Sequence, residues 1–163
     1  MFHTQSRPDR DEYIKVWWEN IEPGKENNFE KSTGDLYGVP YDYKSIMHYG
    51  SDFFTNNGSF TMTTLNPFAM FSIGSRAGNF RWSDALFLNR AYTCDKIFEK
   101  QCPALNCQNK GYVGPDCKCK CPENTAGDRC ERVTGPFFSD VPKCGGLVTT
   151  PGQITSYIGG VSV

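Results

Sequence analysis

The sequence predicts an α+β protein followed by a small disulfide-rich β unit, and three observations carry that prediction. Aromatic residues crowd the first 94 positions, all three tryptophans among them, whereas all eight cysteines lie after residue 93. Only the stretch after Ser83 has clear helical periodicity, and proline and glycine turns cut the remainder into short pieces. Six cysteines packed into residues 102–130 mark a unit too small to bury a core, stapled by disulfides in an oxidising compartment. A length of 163 residues corresponds to about one domain, yet this uneven composition argues for two or more units. Net charge is −1, with acids and bases interspersed. No basic stripe can neutralise phosphates, which excludes nucleic acid as a partner. No run approaches the ~20 apolar residues of a membrane span. The polar start Met1–Asp11 holds no apolar leader core. A disulfide-forming compartment and a start without a leader conflict. The expectation that reconciles them is a fragment, or incomplete gene product, of a longer secreted chain.

Taken in order, residues 1–30 read as an irregular, charge-rich entry interrupted by Tyr13–Trp18, an apolar run whose period fits strand and helix equally. Glu22-Pro23-Gly24-Lys25 and Gly38-Val39-Pro40-Tyr41 read as turns. Asn57-Gly58 between Phe53–Asn56 and Ser59–Met62 predicts a β-hairpin closed by a type I′ turn, since both residues tolerate positive φ. Asn57-Gly58-Ser59 also satisfies the N-glycosylation pattern. Ser83 is a good N-cap, and Ala85, Leu88, Ala91 and Tyr92 line one face of a helix predicted over 84–93, ending at Cys94. Residues 95–101 read as a connector, Glu131–Lys143 as a linker, and the tail from Cys144 alternates weakly.

Two segments hold residues able to do chemistry. His3 is followed by SRPDRDEYI, and SIMHYG places Met47 44 positions later (47 minus 3). On chemistry alone, His3 is an exposed or packed histidine, and Met47 and Tyr49 are core residues. Arg7, Asp9, Arg10 and Asp11 form either a local ion-pair cluster or a solvated turn. His48 reads as structural. The order and spacing of these strings resemble the astacin family of zinc metalloproteases over residues 1–95. The resemblance implies the C-terminal lobe of a zincin-type protease domain. His3 would be the third histidine of H-E-x-x-H-x-x-G-x-x-H and a zinc ligand. Tyr49 would be a zinc ligand that swings away to support the oxyanion, and Met47 the turn that floors the site without ligating. Thr4 stands where the family often has glutamate. His3 and His48 are the only histidines in the sequence. A catalytic zinc takes three protein ligands, so no H-E-x-x-H can be assembled here and the general-base glutamate is absent.

The cysteines run Cys102-x₄-Cys107-x₉-Cys117-x-Cys119-x-Cys121-x₈-Cys130. Zinc sites prefer two to four intervening residues, and six cysteines allow fifteen pairings. The pattern resembles an EGF-like module over 98–131, which implies Cys102–Cys117, Cys107–Cys119 and Cys121–Cys130, with 132–143 as linker. Cys144-Gly145-Gly146 with Gly152–Ser156 resembles the opening of a CUB domain, a truncated β-sandwich start over 144–163. Cys94 and Cys144 are then either orphaned by truncation or paired with each other.

The function expected is that of a fragment of a secreted zinc metalloendopeptidase that hydrolyses internal peptide bonds of protein substrates. The chain as given is expected to be inactive, with Zn²⁺ binding weak or absent. The alternative is a non-catalytic extracellular protein that binds a partner through the EGF-like and CUB-like region. A cooperative transition from residues 1–94 alone would favour the alternative.

Overall fold

The structure is a computed structural model that describes residues 3–74 and 80–135. Cys144 and the CUB-like opening lie outside the described residues. The first half is built from short turns pinned by a two-stranded antiparallel ribbon. β1 (Ile14–Val16) pairs with β2 (Met62–Thr64) in the register Ile14↔Thr64 to Val16↔Met62. Alternation puts Ile14 and Met62 inward and Lys15 outward, where its ammonium lies 3.6 Å from the centre of the Trp17 ring. The ambiguous run Tyr13–Trp18 is therefore a three-residue strand followed by a 3₁₀ turn, Trp18–Asn20. Further 3₁₀ turns occupy Thr4–Ser6, Arg10–Glu12, Glu26–Phe29 and Pro67–Ala69. Around the ribbon, Ile14, Ile21, Phe29, Tyr41, Tyr43, Met62, Ala69 and Ile73 form the main core.

The turn at 22–25 is present, closed by Lys25 N–H to the Glu22 carbonyl at 3.0 Å, with Gly24 at φ 85°. The next turn falls at 36–39 instead of 38–41, because Tyr37 and Gly38 take the positive φ angles. The expected hairpin at 53–62 does not form. Positive φ occurs at Gly58 and not at Asn57, and the Asn57 carboxamide oxygen accepts Ser59 N–H at 2.9 Å, an Asx turn in place of type I′. Thr55 bridges to Ile21 and Met62 pairs with Val16. Long-range partners have taken both arms.

α1 spans Trp82–Ala91, two residues earlier than predicted, with Arg81 as N-cap. Asp84 reaches back to accept Arg81 N–H at 3.2 Å, which is the N3 half of a capping box. Ser83 is thus inside the helix, and the buried face is Ser83, Asp84, Leu86 and Phe87, with Tyr92 exposed. Residues expected to be a connector form a second helix, α2 (Cys94–Gln101), separated from α1 by Thr93 in the left-handed region at φ 56°. Cys94 is half-buried and without a disulfide partner among the described residues.

The cysteine-rich unit holds two small antiparallel pairs, β3 (Tyr112–Val113) with β4 (Cys119–Lys120) and β5 (Thr125–Ala126) with β6 (Arg132–Val133). Disulfides join Cys102 to Cys117, Cys107 to Cys119 and Cys121 to Cys130. The unit rests on the start of α1. Trp82 donates its indole N–H to the Lys120 carbonyl at 3.0 Å, and Arg81 reaches Glu123 at 2.5 Å. No helix among the described residues is long and apolar enough to cross a membrane.

Candidate active site

His3 and Tyr49, 46 positions apart (49 minus 3), come together with ring centroids 4.5 Å from each other, tilted by 54°. Their chains are tied twice: Thr4 N–H donates to the Met47 carbonyl at 3.0 Å, and Tyr49 N–H donates to Gln5 Oε1 at 3.3 Å. The Tyr49 ring lies against Phe53, Phe54 and Phe29, at centroid distances of 5.2, 5.8 and 6.2 Å. His3 is exposed and Tyr49 half-buried. Met47 is half-buried in the turn that precedes Tyr49, and its N–H meets Ser45 Oγ at 3.1 Å.

His48 points away from this pair into the core. Its Nδ1 lies 2.8 Å from the Tyr49 carbonyl and its Nε2 2.7 Å from the Tyr41 hydroxyl. Burial pushes its imidazole down to about 4, and the hydrogen bond to the Tyr49 carbonyl opposes that shift only in part. Burial likewise drives the Tyr41 phenol far above its ordinary value and that of Tyr43 up to about 12.

The turn carrying Met47 and Tyr49 is bolted to α1 by two buried carboxylates that point in opposite directions. Asp84, on the helix, accepts Ser45 Oγ–H at 2.5 Å and Ile46 N–H at 3.3 Å. Asp42, on the loop, accepts Ser83 Oγ–H at 2.6 Å, Arg81 Nε–H at 3.0 Å and Lys44 N–H at 2.9 Å. Each of the two buried carboxyl groups is thereby supplied with hydrogen-bond donors, without which its burial would be costly.

After His3, the charged string forms an ion-pair cluster. Arg7 grips Asp9 at 2.7 Å, Arg10 meets Asp11 at 2.9 Å, and Lys31 meets Asp11 at 2.8 Å. The hydrogen bond from Lys31, with Arg10 adding to it, holds the Asp11 carboxyl below the usual range against desolvation, which raises it. Both arginines are buried and also bind carbonyls: Arg7 those of Val39 and Pro40, Arg10 those of Gln5 and Phe29. The cluster therefore folds the loop that presents His3.

An imidazole and a phenol match zinc in donor type. They do not match it in number, since no group of three His, Cys, Asp or Glu gathers among the described residues. All six cysteines of the disulfide unit are oxidised and unavailable as ligands. Gln5, Tyr41, Asp42, Arg81 and Asp84 were not singled out from the sequence. Only Gln5, two residues after His3, carries a positional signal there.

Residues 1–93 match the Astacin peptidase family. The chain is 45% identical over 157 residues to Protein SpAN of Strongylocentrotus purpuratus, covering 94% of this chain and 25% of that protein. It is 40% identical over 157 residues to blastula protease 10 of Paracentrotus lividus, covering 91% and 26%. Zinc metalloproteinase dpy-31 of Caenorhabditis elegans is 37% identical over 155 residues, covering 91% and 25%. The chain thus spans about a quarter of the length of these relatives. Among solved structures, high choriolytic enzyme 1, a hatching enzyme zinc-protease from Oryzias latipes (medaka fish), aligns with a TM-score of 0.52 at 42% identity. That alignment covers 58% of this chain and 46% of the other.

Proposed function

The chain belongs to the astacin family of peptidases, and from that premise we propose that it is the C-terminal part of the catalytic domain of a secreted zinc metalloendopeptidase. The observation that carries this reading is the approach of the His3 and Tyr49 rings to 4.5 Å from distant points of the chain. His3 would hold the metal through an imidazole nitrogen and Tyr49 through its phenol oxygen. The chemistry supplied by zinc when bound is Lewis acidity toward water and toward the scissile carbonyl. When not ligating, the Tyr49 hydroxyl donates a hydrogen bond to the carbonyl oxygen as it gains charge, where a preorganised donor acts most strongly. Met47 floors the site as an apolar wall. The 163 residues contain two histidines and no H-E-x-x-H, so the remaining ligands and the general base have to come from residues outside them.

On the same reading, 1–95 is the peptidase part, the cysteine-rich unit is an EGF-like module that runs past the expected boundary at 131 because Arg132–Val133 pairs with Thr125–Ala126, the linker is the shorter stretch after it up to 143, and 144–163 is the start of a CUB-like domain. Three disulfides in a unit of this size suit an extracellular protein. The exposed Asn57 is a candidate glycosylation site. Protein substrates are the expected class, with an extracellular partner through the EGF-like and CUB-like region.

The test uses the full-length protein that carries these residues. Hydrolysis of an internal peptide bond should stop on chelation and in His3→Ala, and Tyr49→Phe should lower kcat about a hundredfold. Hydrolysis indifferent to His3→Ala would sink the reading.

A further inference from the structure

Three buried polar side chains surround the main chain of Tyr49: Gln5 and Tyr41 are 0% exposed and His48 2%. Such groups are costly to bury unless paired, and here each pairs with the Tyr49 peptide or with the group that holds it. Gln5 Oε1 accepts the Tyr49 N–H. The Tyr49 carbonyl can only accept, so the proton of the neutral His48 ring sits on Nδ1 and donates to it at 2.8 Å. That leaves Nε2 as an acceptor, which the Tyr41 hydroxyl fills at 2.7 Å. Gln5 Nε2 has no hydrogen-bond partner among the described residues, so the side chain is held by its oxygen and by packing.

Building on the reading of His3 and Tyr49 as a ligand pair, we propose that Gln5 and the Tyr41–His48 pair are positioning residues that clamp the Tyr49 backbone from both sides, leaving the ring as the moving part. Gln5 lies on the segment that presents His3, and Thr4 N–H ties the same segment to Met47. The clamp therefore sets Tyr49 relative to its fellow ligand as well as relative to the core. A phenol that alternates between metal and substrate needs a pivot that does not drift, because errors near 1 Å at a reacting centre are expensive.

The experiment is nitrogen NMR of the imidazoles in the labelled full chain at neutral pH, with His3→Gln used for assignment. His48 should be the Nδ1–H tautomer, and Tyr41→Phe should convert a measurable fraction to Nε2–H. Gln5→Met should speed amide exchange at Tyr49 about tenfold, the equivalent of one hydrogen bond, with exchange at Met62 unchanged. An Nε2–H tautomer in the parent chain, or Tyr49 exchange unaltered by Gln5→Met, would overturn the clamp. If neither variant folds, the tautomer in the parent chain decides alone. The two readings are separated in the full-length protein that supplies the other ligands: hydrolysis indifferent to His3→Ala counts against the ligand assignment and leaves the clamp standing.

Discussion

His48 is neutral because it is buried, and that makes it a handle on stability. Its folded-state pKa is pushed down to about 4 from an ordinary value of 6.5. Above 6.5 neither the folded nor the unfolded ring takes a proton, and stability is full. As pH falls from 6.5 toward 4, the unfolded chain binds a proton that the folded one refuses. The contribution of His48 should therefore fall by about 3 kcal/mol across that window and level off below it. Urea midpoints at pH 7, 5.5 and 4.5 should converge between the parent and His48→Gln; parallel pH profiles would refute the assignment. Arg10 poses a sharper test. Arg10→Ala strands the carbonyls of Gln5 and Phe29 in a buried pocket, for an expected loss of about 3 kcal/mol in urea denaturation. Arg10→Lys should recover only part of it, because an ammonium lacks the planar fork. At this scale the sequence named His3, Met47 and Tyr49 as candidates through the order and spacing of their strings, and left the charged run open between an ion-pair cluster and a solvated turn. It hid Gln5, Tyr41, Asp42 and Asp84, since nothing local in a buried amide or carboxylate states which distant N–H or hydroxyl it will meet.

Elements were legible in proportion to how local their stabilisation is. The turn at 22–25 follows from Pro23-Gly24 alone and appears where predicted. The helix after Ser83 was visible by its periodicity, but its start and its buried face were set by Asp42 and Ser45, which recruit Ser83 and Asp84 inward. Asn57-Gly58 suggested a hairpin because a good turn pair is a local signal, whereas the pairing of Met62 with Val16 is not. The second helix leaves little trace in the sequence because its eight residues are mostly polar and charged and bury no residue fully. Between the helices, Thr93 adopts φ 56°, a conformation that disfavours a β-branched side chain. Thr93→Gly should relieve that cost and stabilise the chain by about 1 kcal/mol, read as a rise in thermal midpoint. A lower midpoint would mean that the threonine side chain is needed in that bend.

Over the whole molecule, one guanidinium joins the two halves. Arg81 binds the buried Asp42 on one side and Glu123 of the cysteine-rich unit on the other, while its neighbour Trp82 donates to Lys120. Asp42 belongs to the same bolt that holds the turn of Met47 and Tyr49. Calorimetry should therefore record a single endotherm that Arg81→Ala splits in two. Two endotherms in the parent chain would show the halves to be energetically independent. The same contact bears on where this protein can be cut. Composition changes near residue 95, and a designer seeking a minimal peptidase fragment would stop there. Such a fragment would leave an indole N–H without its acceptor and a half-buried arginine without its outer carboxylate, so the shortest piece that retains the contacts among the described residues runs on through Gly135.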